Sequence, residues 1–137
     1  MKTNVRFLDT TWNTDNPNEV VCNITARIII KKLPIDIFTF HKIIKKRFKD
    51  VSQNGTFKVS GKAVCHVNDK FNMECGKIIA KSKAEYKAYH KAKRIYDDIC
   101  NWLDNQISDL GKLYSNCDNL CVKVIARSVD TDIKYNK

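Results

Sequence analysis

The side chains best suited to chemistry in this chain are its six cysteines and three histidines. Cys117 and Cys121 have a spacing that a zinc site can use, and the other candidate ligands are Cys65, His66 and Cys75. Zinc pairs normally come as two tight knuckles, and Cys65 and Cys121 point to different faces of their predicted strands. We therefore expect no metal, and interpret the cysteines as reduced thiols, most of them small core residues.

Catalytic chemistry finds even less support in the sequence. There is no glycine-rich phosphate loop, no GxSxG motif and no pair of carboxylates in the context of a cleft. His66 follows Cys65, but adjacent side chains of a strand point in opposite directions, so the two cannot form a nucleophile–base dyad. A general acid or base at His66 stays open as an alternative. We expect no enzyme activity and no cofactor.

Binding chemistry is indicated instead by a stripe of cations at helical spacing. Lys83, Lys87, Lys91 and Arg94 are four, four and three residues apart, which places them on one side of a helix. Acidic residues follow in the second half of this helix, an order opposite to the one that the helix dipole stabilises. A solvated face explains such a stripe, and so does a binding surface for an anion or for a second copy.

Period-two alternation predicts the sheet that positions further cations. Two half-buried strands are predicted over residues 20–31 and 56–66, and a last strand over Asn119–Arg127. Residues 1–18 are expected to be partly irregular, with a loop over Thr10–Asn18. The outward strand positions carry Arg27, Lys58, Lys62, His66, Lys123 and Arg127. We expect these side chains and the helical stripe to bind an anionic ligand.

Two helices complete the predicted fold. A short basic amphipathic helix is predicted over Ile35–Lys49. A long helix begins near Asn72, capped by Asp69 or Asn72, and reaches Leu110, where Gly111 suits its C-terminal cap. The sequence therefore predicts a single α+β domain over residues 1–137. Its antiparallel sheet has three to four strands and is accompanied by one short and one long helix.

The long helix also predicts self-association. Its apolar positions continue further than one small sheet can cover. Trp102 and Leu103 are adjacent and cannot lie on one helical line, so one of them is expected to face away from its own core. With Ile95 and Ile99 they form the expected interface of a homo-oligomer, most simply a dimer. The basic first half and acidic second half of the helix suit antiparallel pairing of two copies.

Composition places the chain among small basic globular proteins. The 137 residues carry a net charge of +10, and lysines outnumber arginines by 20 to 5. An AT-rich genome raises lysine, but it raises glutamate about equally, and this chain has a deficit of acids. A basic domain implies nucleic-acid, nucleotide or acidic-protein partners.

Neither export nor membrane insertion is predicted. The first residues lack the apolar segment of a signal peptide. No stretch approaches the roughly 18 apolar residues that a membrane helix needs. We therefore expect a cytoplasmic protein of a bacterial host cell, without contact to a membrane.

The segment Gly61–Ala80 resembles a recurrent element in small proteins of bacteriophages and prophages of Gram-positive hosts. A strand ends in Cys65, the sequence Asp69–Asn72 (D-x-F-[DN]) caps a helix, and Gly76 precedes an apolar Ile-Ala pair. About 20 of the 137 residues carry this resemblance. Among such phage proteins the chain is similar to the anti-Thoeris sponges, which are oligomeric sheet-plus-long-helix proteins that sequester cyclic ADP-ribose signals without catalysis. No binding residue of that family matches a position here.

Charge and resemblance together predict a phage-type accessory or counter-defence protein. We expect it to bind and sequester an anionic nucleotide signal or a nucleic acid without turning it over. Two alternatives stay open. One is a nucleic-acid-binding domain in phage replication or regulation, and the other is an inhibitor that docks on a host defence protein.

Overall fold

A computed structural model describes residues 4–64 and 72–136. The elements in chain order are β1 (Val5–Asn13), β2 (Glu19–Ile28), a short 3-10 helix (Ile30–Lys32), α1 (Ile37–Ile44), β3 (Thr56–Val64) and α2 (Met73–Tyr135). The three strands form one antiparallel sheet in the order β1-β2-β3, which confirms the predicted α+β class with one short and one long helix. The chain divides into two compact units, Met1–Ile99 and Cys100–Lys137.

The central strand β2 forms the core of the first unit, as its alternation predicts. Every second side chain is buried and at most 1% exposed: Val20, Cys22, Ile24, Ala26 and Ile28. β3 continues the same apolar face, because Cys22 lies opposite Gly61 and Ala26 opposite Phe57. Burial raises the pKa of the Cys22 thiol.

The first part of α2 packs on this apolar face through small residues. Five buried positions are spaced four residues apart: Gly76, Ala80, Ala84, Ala88 and Ala92. A Cβ added to Gly61 would lie 2.1 Å from the Ala80 carbonyl oxygen and 2.5 Å from the Ala84 nitrogen. Only glycine fits at this position, so β3 and α2 are in direct backbone contact.

Both helix starts are fixed by side-chain caps. The Asp36 carboxylate accepts the Thr39 backbone N–H at 2.7 Å at the start of α1, and hydrogen bonding from Thr39 lowers the pKa of Asp36. Asn72 caps α2 by accepting the N–H groups of Glu74 and Cys75 at 3.0 and 3.2 Å. Asn72 is thus confirmed as a cap, whereas the alternative Asp69 lies outside the described residues.

The first strand is not predicted from the sequence. β1 covers Val5–Asn13, where irregular chain and a loop from Thr10 were predicted. Its pairing with β2 shifts register between Phe7 and Asp9. This bulge breaks the period-two pattern and hides the strand in the sequence.

The second unit is helical through its described length, and it corrects two predictions. The helix does not end at Leu110, and Asn119–Arg127 is part of α2 and not a strand. Gly111 lies inside the helix, where an added Cβ would meet nothing within 4 Å. A glycine there costs about 1 kcal/mol relative to alanine, which a long helix tolerates. The helix also satisfies its own backbone hydrogen bonds, whereas a strand would need a neighbour.

The expectation that most cysteines lie in a core is wrong. Cys22 is buried, but four further thiols of the described chain are free and exposed: Cys75, Cys100, Cys117 and Cys121. Three of these lie on the part of α2 that follows the sheet-covered segment. Cys65 lies outside the described residues.

Candidate anion-binding site

The sheet has a second, polar face that points away from the apolar core. On β2 this face presents Asn23, Thr25 and Arg27, the residues that alternate with the buried ones. On β3 it presents Lys58 and Ser60, paired with Thr25 and Asn23. Asn23, Thr25, Lys58 and Ser60 line a shallow depression of about 450 Å³ together with Asp9 and Thr11 of β1.

A second cavity of about 430 Å³ lies at the end of β2 and is strongly basic. Its charged lining consists of Arg6, Arg27, Lys31 and Lys32. Asn54 adds a polar amide, and Ile29, Ile30 and Ile37 add apolar surface. Among the residues that the structure describes, no carboxylate contributes to the lining. We call this site, with its four cations and Asn54, the basic cavity.

Sheet register and local hydrogen bonds position the two arginines of the basic cavity. Arg6 of β1 lies directly opposite Arg27 of β2. Like charges in this arrangement repel each other, at a cost of a few tenths to about 1 kcal/mol. The Arg27 Nε also donates to Thr56 Oγ1 at 3.2 Å, which holds that side chain in place. An anion between the two guanidinium groups would relieve their repulsion.

A tight turn places Asn54 beside the end of β2. Gly55 has a φ of 83°, a conformation that favours glycine. The Gly55 carbonyl accepts the N–H of Ile28 at 3.0 Å, and a Cβ on Gly55 would lie 2.5 Å from the Ile28 oxygen. The turn is therefore locked against β2.

The four cations of the basic cavity have no acidic partner among residues 4–64 and 72–136. The ion pairs in this part of the chain join Arg47 to Asp98, Lys62 to Glu19, Lys81 to Glu85 and Lys91 to Asp50. None involves a residue of the basic cavity. Its positive charge is thus free to act on an external ligand.

The predicted helical stripe forms, and two of its lysines bind the edge of the sheet. Lys83 Nζ donates to the backbone carbonyl of Lys62 at 3.1 Å. Lys87 Nζ donates to the backbone carbonyl of Ser60 at 2.8 Å. Both carbonyls belong to β3, which is an edge strand of the described sheet. These lysines therefore cap edge carbonyls that would otherwise need water or another strand.

The other two members of the stripe contact the segment that follows α1. Lys91 forms an ion pair with Asp50 and lies 5.3 Å from the Phe57 ring centroid. Arg94 lies 5.5 Å from the ring centroid of Phe48. The stripe thus serves intramolecular contacts along one side of the first unit.

The structure separates the site residues predicted on strands into three groups. Arg27, Lys58 and Lys62 share the polar face of the sheet, as expected, although Lys62 pairs with Glu19 at 3.0 Å. Lys123 and Arg127 lie on α2 in the second unit, so their expected place on a sheet face is wrong. His66 lies outside the described residues.

Arg6, Lys31 and Lys32 were not recognised as site residues from the sequence. Arg6 stands between two apolar residues, which is the start of a period-two pattern that the bulge interrupts. Lys31 is the last residue of the strand predicted over residues 20–31, and Lys32 follows it directly. Both signals are short, and only pairing in the sheet brings them together.

The structure also shows how buried the residues are that were predicted to form an oligomer interface. Ile95 and Ile99 are 0% and 3% exposed in the first unit, so they belong to its core and offer no surface to another copy. Trp102 and Leu103 are both half-buried.

The described residues were also compared with the requirements of a metal site and of a membrane-spanning helix. Among residues 4–64 and 72–136, no group of three or more His, Cys, Asp or Glu side chains is placed to hold a metal ion. Within the same residues no helix has a stretch apolar enough to cross a membrane. Comparison of the chain with protein-family models, curated proteins and solved structures finds no match.

Proposed function

We propose that this protein binds a phosphate-bearing nucleotide and sequesters it without turnover, with the phosphate held in the basic cavity. The observation that carries the proposal is the group of four cations around one cavity, none paired with a described acid. Guanidinium groups suit this role because their fixed donor geometry matches two phosphate oxygens at once.

The size and lining of the basic cavity favour a small ligand. About 430 Å³ lies within the range of small-molecule sites, roughly 300–1,000 Å³. The isoleucines of the wall offer an apolar surface for a base, while the cations face the phosphate. Resemblance to phage proteins that sequester cyclic ADP-ribose signals supports a role in counter-defence, with the nucleotide as the signal withdrawn.

A nucleic acid is the second candidate, and the polar face of the sheet favours it. The depression lined by Asn23, Lys58 and Ser60 shares this face with Arg27. A strand of nucleic acid would contact this depression as well as the basic cavity, and it would engage Lys58 and Lys62. Such a ligand fits a role in phage replication or regulation.

Salt dependence distinguishes the two ligands. Binding of mononucleotides, cyclic dinucleotides and short single-stranded DNA would be measured by calorimetry at 50 and 200 mM salt. With about four phosphate contacts, binding of single-stranded DNA would weaken roughly 50-fold over this range. A nucleotide in the cavity would weaken only a few-fold. Chromatography of the bound fraction would recover the nucleotide unchanged.

A matched pair of double variants tests the location of the site. Lys31→Gln/Lys32→Gln removes two cations of the basic cavity, and we expect about a tenfold or greater loss of affinity. Lys45→Gln/Lys46→Gln removes the same charge from exposed positions after α1 and should weaken binding less than about threefold. Equal losses would indicate binding by net charge alone.

If neither nucleotides nor nucleic acids bind at low salt, the proposal is wrong and an acidic host defence protein becomes the leading partner.

A further inference from the structure

The second unit carries an exposed apolar stripe with the spacing of a coiled coil. Eight helical positions alternate by three and four residues: Cys100, Leu103, Ile107, Leu110, Tyr114, Cys117, Cys121 and Val124. Each is an apolar residue or a cysteine. We call these eight positions the seam. A mean spacing of 3.5 residues sustained over about three and a half heptads is the pattern of helices that pair along their length.

The seam is largely open to solvent in a single chain. Ile107, Leu110 and Tyr114 are 67%, 66% and 74% exposed. Val124 and its neighbour Leu120 are more than half exposed as well, and this end of the helix carries an apolar depression. A continuous apolar row of this length on one helix is unusual for a surface that stays uncovered.

We propose that the seam binds the seam of a second copy, in a parallel, in-register coiled coil. A 3-4 repeat is complementary to itself, because each side chain of the seam fits between four residues of an identical facing helix. The contact is the same on both copies and closes with twofold symmetry. This inference does not depend on the proposed nucleotide binding.

The direction of pairing follows from the residues that flank the seam. One flank carries the acids Asp104, Asp118 and Asp132. The other flank carries Leu113, Leu120, Arg127 and Lys134. In a parallel pair each flank meets the opposite flank of its partner, which places Arg127 near Asp132 of the partner subunit. In an antiparallel pair like flanks meet, so acids would face acids.

The antiparallel pairing expected from the sequence does not fit the contacts that the helix makes within its own chain. That pairing required the basic first half of the helix to meet acids of a second copy. The structure instead engages Lys83 and Lys87 at the β3 edge and Lys91 with Asp50. The charges that remain free to orient a pair are those beside the seam.

Light scattering with two matched variants tests the pairing. At tens of micromolar protein we expect a mass twice that of the 15.9 kDa chain. Leu110→Glu places a charge in the seam and should give monomer, while the circular dichroism of the sheet-containing unit persists. Asn105→Glu adds the same charge on the opposite side of the helix and should stay dimeric. A wild-type mass of one chain at every concentration would overturn the proposal.

Cross-linking through cysteines of the seam tests the direction. Helix axes 8–10 Å apart, each with a Cα radius of about 2.3 Å, bring opposed seam Cα atoms to about 5 Å, which suits a disulfide. The background variant replaces Cys65, Cys75, Cys100 and Cys121 with serine and retains Cys117. Mild oxidation should then give a covalent dimer, because Cys117 faces Cys117 of the partner subunit.

Two further variants make the cross-linking result decisive. Moving the thiol to the opposite side of the helix, with Cys117→Ser and Asn119→Cys, should abolish the covalent dimer. An antiparallel pair that overlaps the two seams fully instead brings position 117 opposite position 107, so the background variant would give a covalent dimer only after Ile107→Cys is added. That outcome would overturn the parallel geometry.

Discussion

The first unit carries the whole net charge of the protein, and the second carries none. Residues 1–99 contain 20 Lys and Arg against 10 Asp and Glu, whereas residues 100–137 contain five of each class. This leaves +10 on the sheet-containing unit and zero on the other. The excess positive charge that attracts anions therefore lies in residues 1–99. The second unit has to be understood from its apolar side chains.

The two units also use one helix, α2, in different ways. Over residues 76–92, the buried positions of α2 are glycine and alanine, which let the backbones of α2 and β3 touch at Gly61. Beyond Ile99, its regular apolar positions include Leu, Ile, Tyr and Val, and most of these side chains remain exposed. Small residues suit close packing on a sheet, and large ones suit insertion between the side chains of a facing helix. Side-chain size along α2 thus marks two kinds of contact.

A pair of glycine substitutions tests this difference most strongly. Gly61→Ala places a methyl group against the backbone of α2, and we expect about 3 kcal/mol loss of stability, or roughly 15 °C in Tm. Gly111→Ala adds the same methyl where nothing lies within 4 Å and should stabilise the helix by about 0.5–1 kcal/mol. Thermal unfolding followed by circular dichroism measures both. An unchanged Tm for Gly61→Ala would contradict the close approach of β3 and α2.

Replacing one acid in each unit should give a smaller difference in the free energy of unfolding than the two glycine substitutions give. Asp98 pairs with Arg47 at 2.8 Å, but the Arg47 side chain is 50% exposed, so we expect Asp98→Asn to cost at most about 1 kcal/mol. Asp109 has no ion-pair partner within residues 4–64 and 72–136, and Asp109→Asn should be nearly neutral. Urea unfolding at low and high salt would measure both variants. The cost at Asp98 should shrink in high salt, and equal costs for the two would contradict a specific contribution of this pair.

The smallest expected effect is the acid sensitivity of the α1 cap. The folded-state pKa of Asp36 lies below its usual 3.8 because Thr39 donates hydrogen bonds to the carboxylate. Its contribution is therefore fully present above the unfolded pKa and is lost as pH falls through the folded one. Asp36→Asn keeps a capping oxygen but does not titrate.

Thermal melts of wild type and Asp36→Asn at about pH 5 and below about pH 3 would reveal this effect. Wild type should lose more stability on acidification than the variant, which narrows the difference between their Tm values. A difference that stays constant with pH would contradict a role of the ionised cap.

Periodic segments of this chain reveal their structure in the sequence, and interrupted ones do not. β2 and β3 keep strict alternation, and Asn72 is an ordinary cap, so these strands and the start of α2 were predictable. The predicted bounds of the short helix, Ile35–Lys49, are wrong, because Asp36 caps a helix that covers only Ile37–Ile44. β1 is interrupted by its bulge between Phe7 and Asp9. Residues 119–127 alternate like a strand, but Cys121 and Val124 within them also fit the helical seam. Such a short segment reads both ways, and local pattern alone does not decide between them.

The basic cavity was only partly predictable for a related reason. Arg27 follows from the alternation of β2. Arg6 joins it because β1 pairs with β2, and Lys31 and Lys32 join it because the chain turns into a 3-10 helix after Ile28. Charge counts indicated an anionic partner. The location of the cavity depends on tertiary pairing, which composition and periodicity do not contain.

The lysines that cap β3 also bear on how far strand exchange between chains could proceed. Open-ended fibrils need two free edges on every sheet, because each chain must accept a strand on one side and donate on the other. Lys83 and Lys87 occupy carbonyls on the β3 edge, which leaves β1 as the more accessible edge of the described sheet. Two chains could therefore join through their β1 edges. The β3 edges at the two ends of the joined sheet would still be capped by lysines, so a third chain would not add.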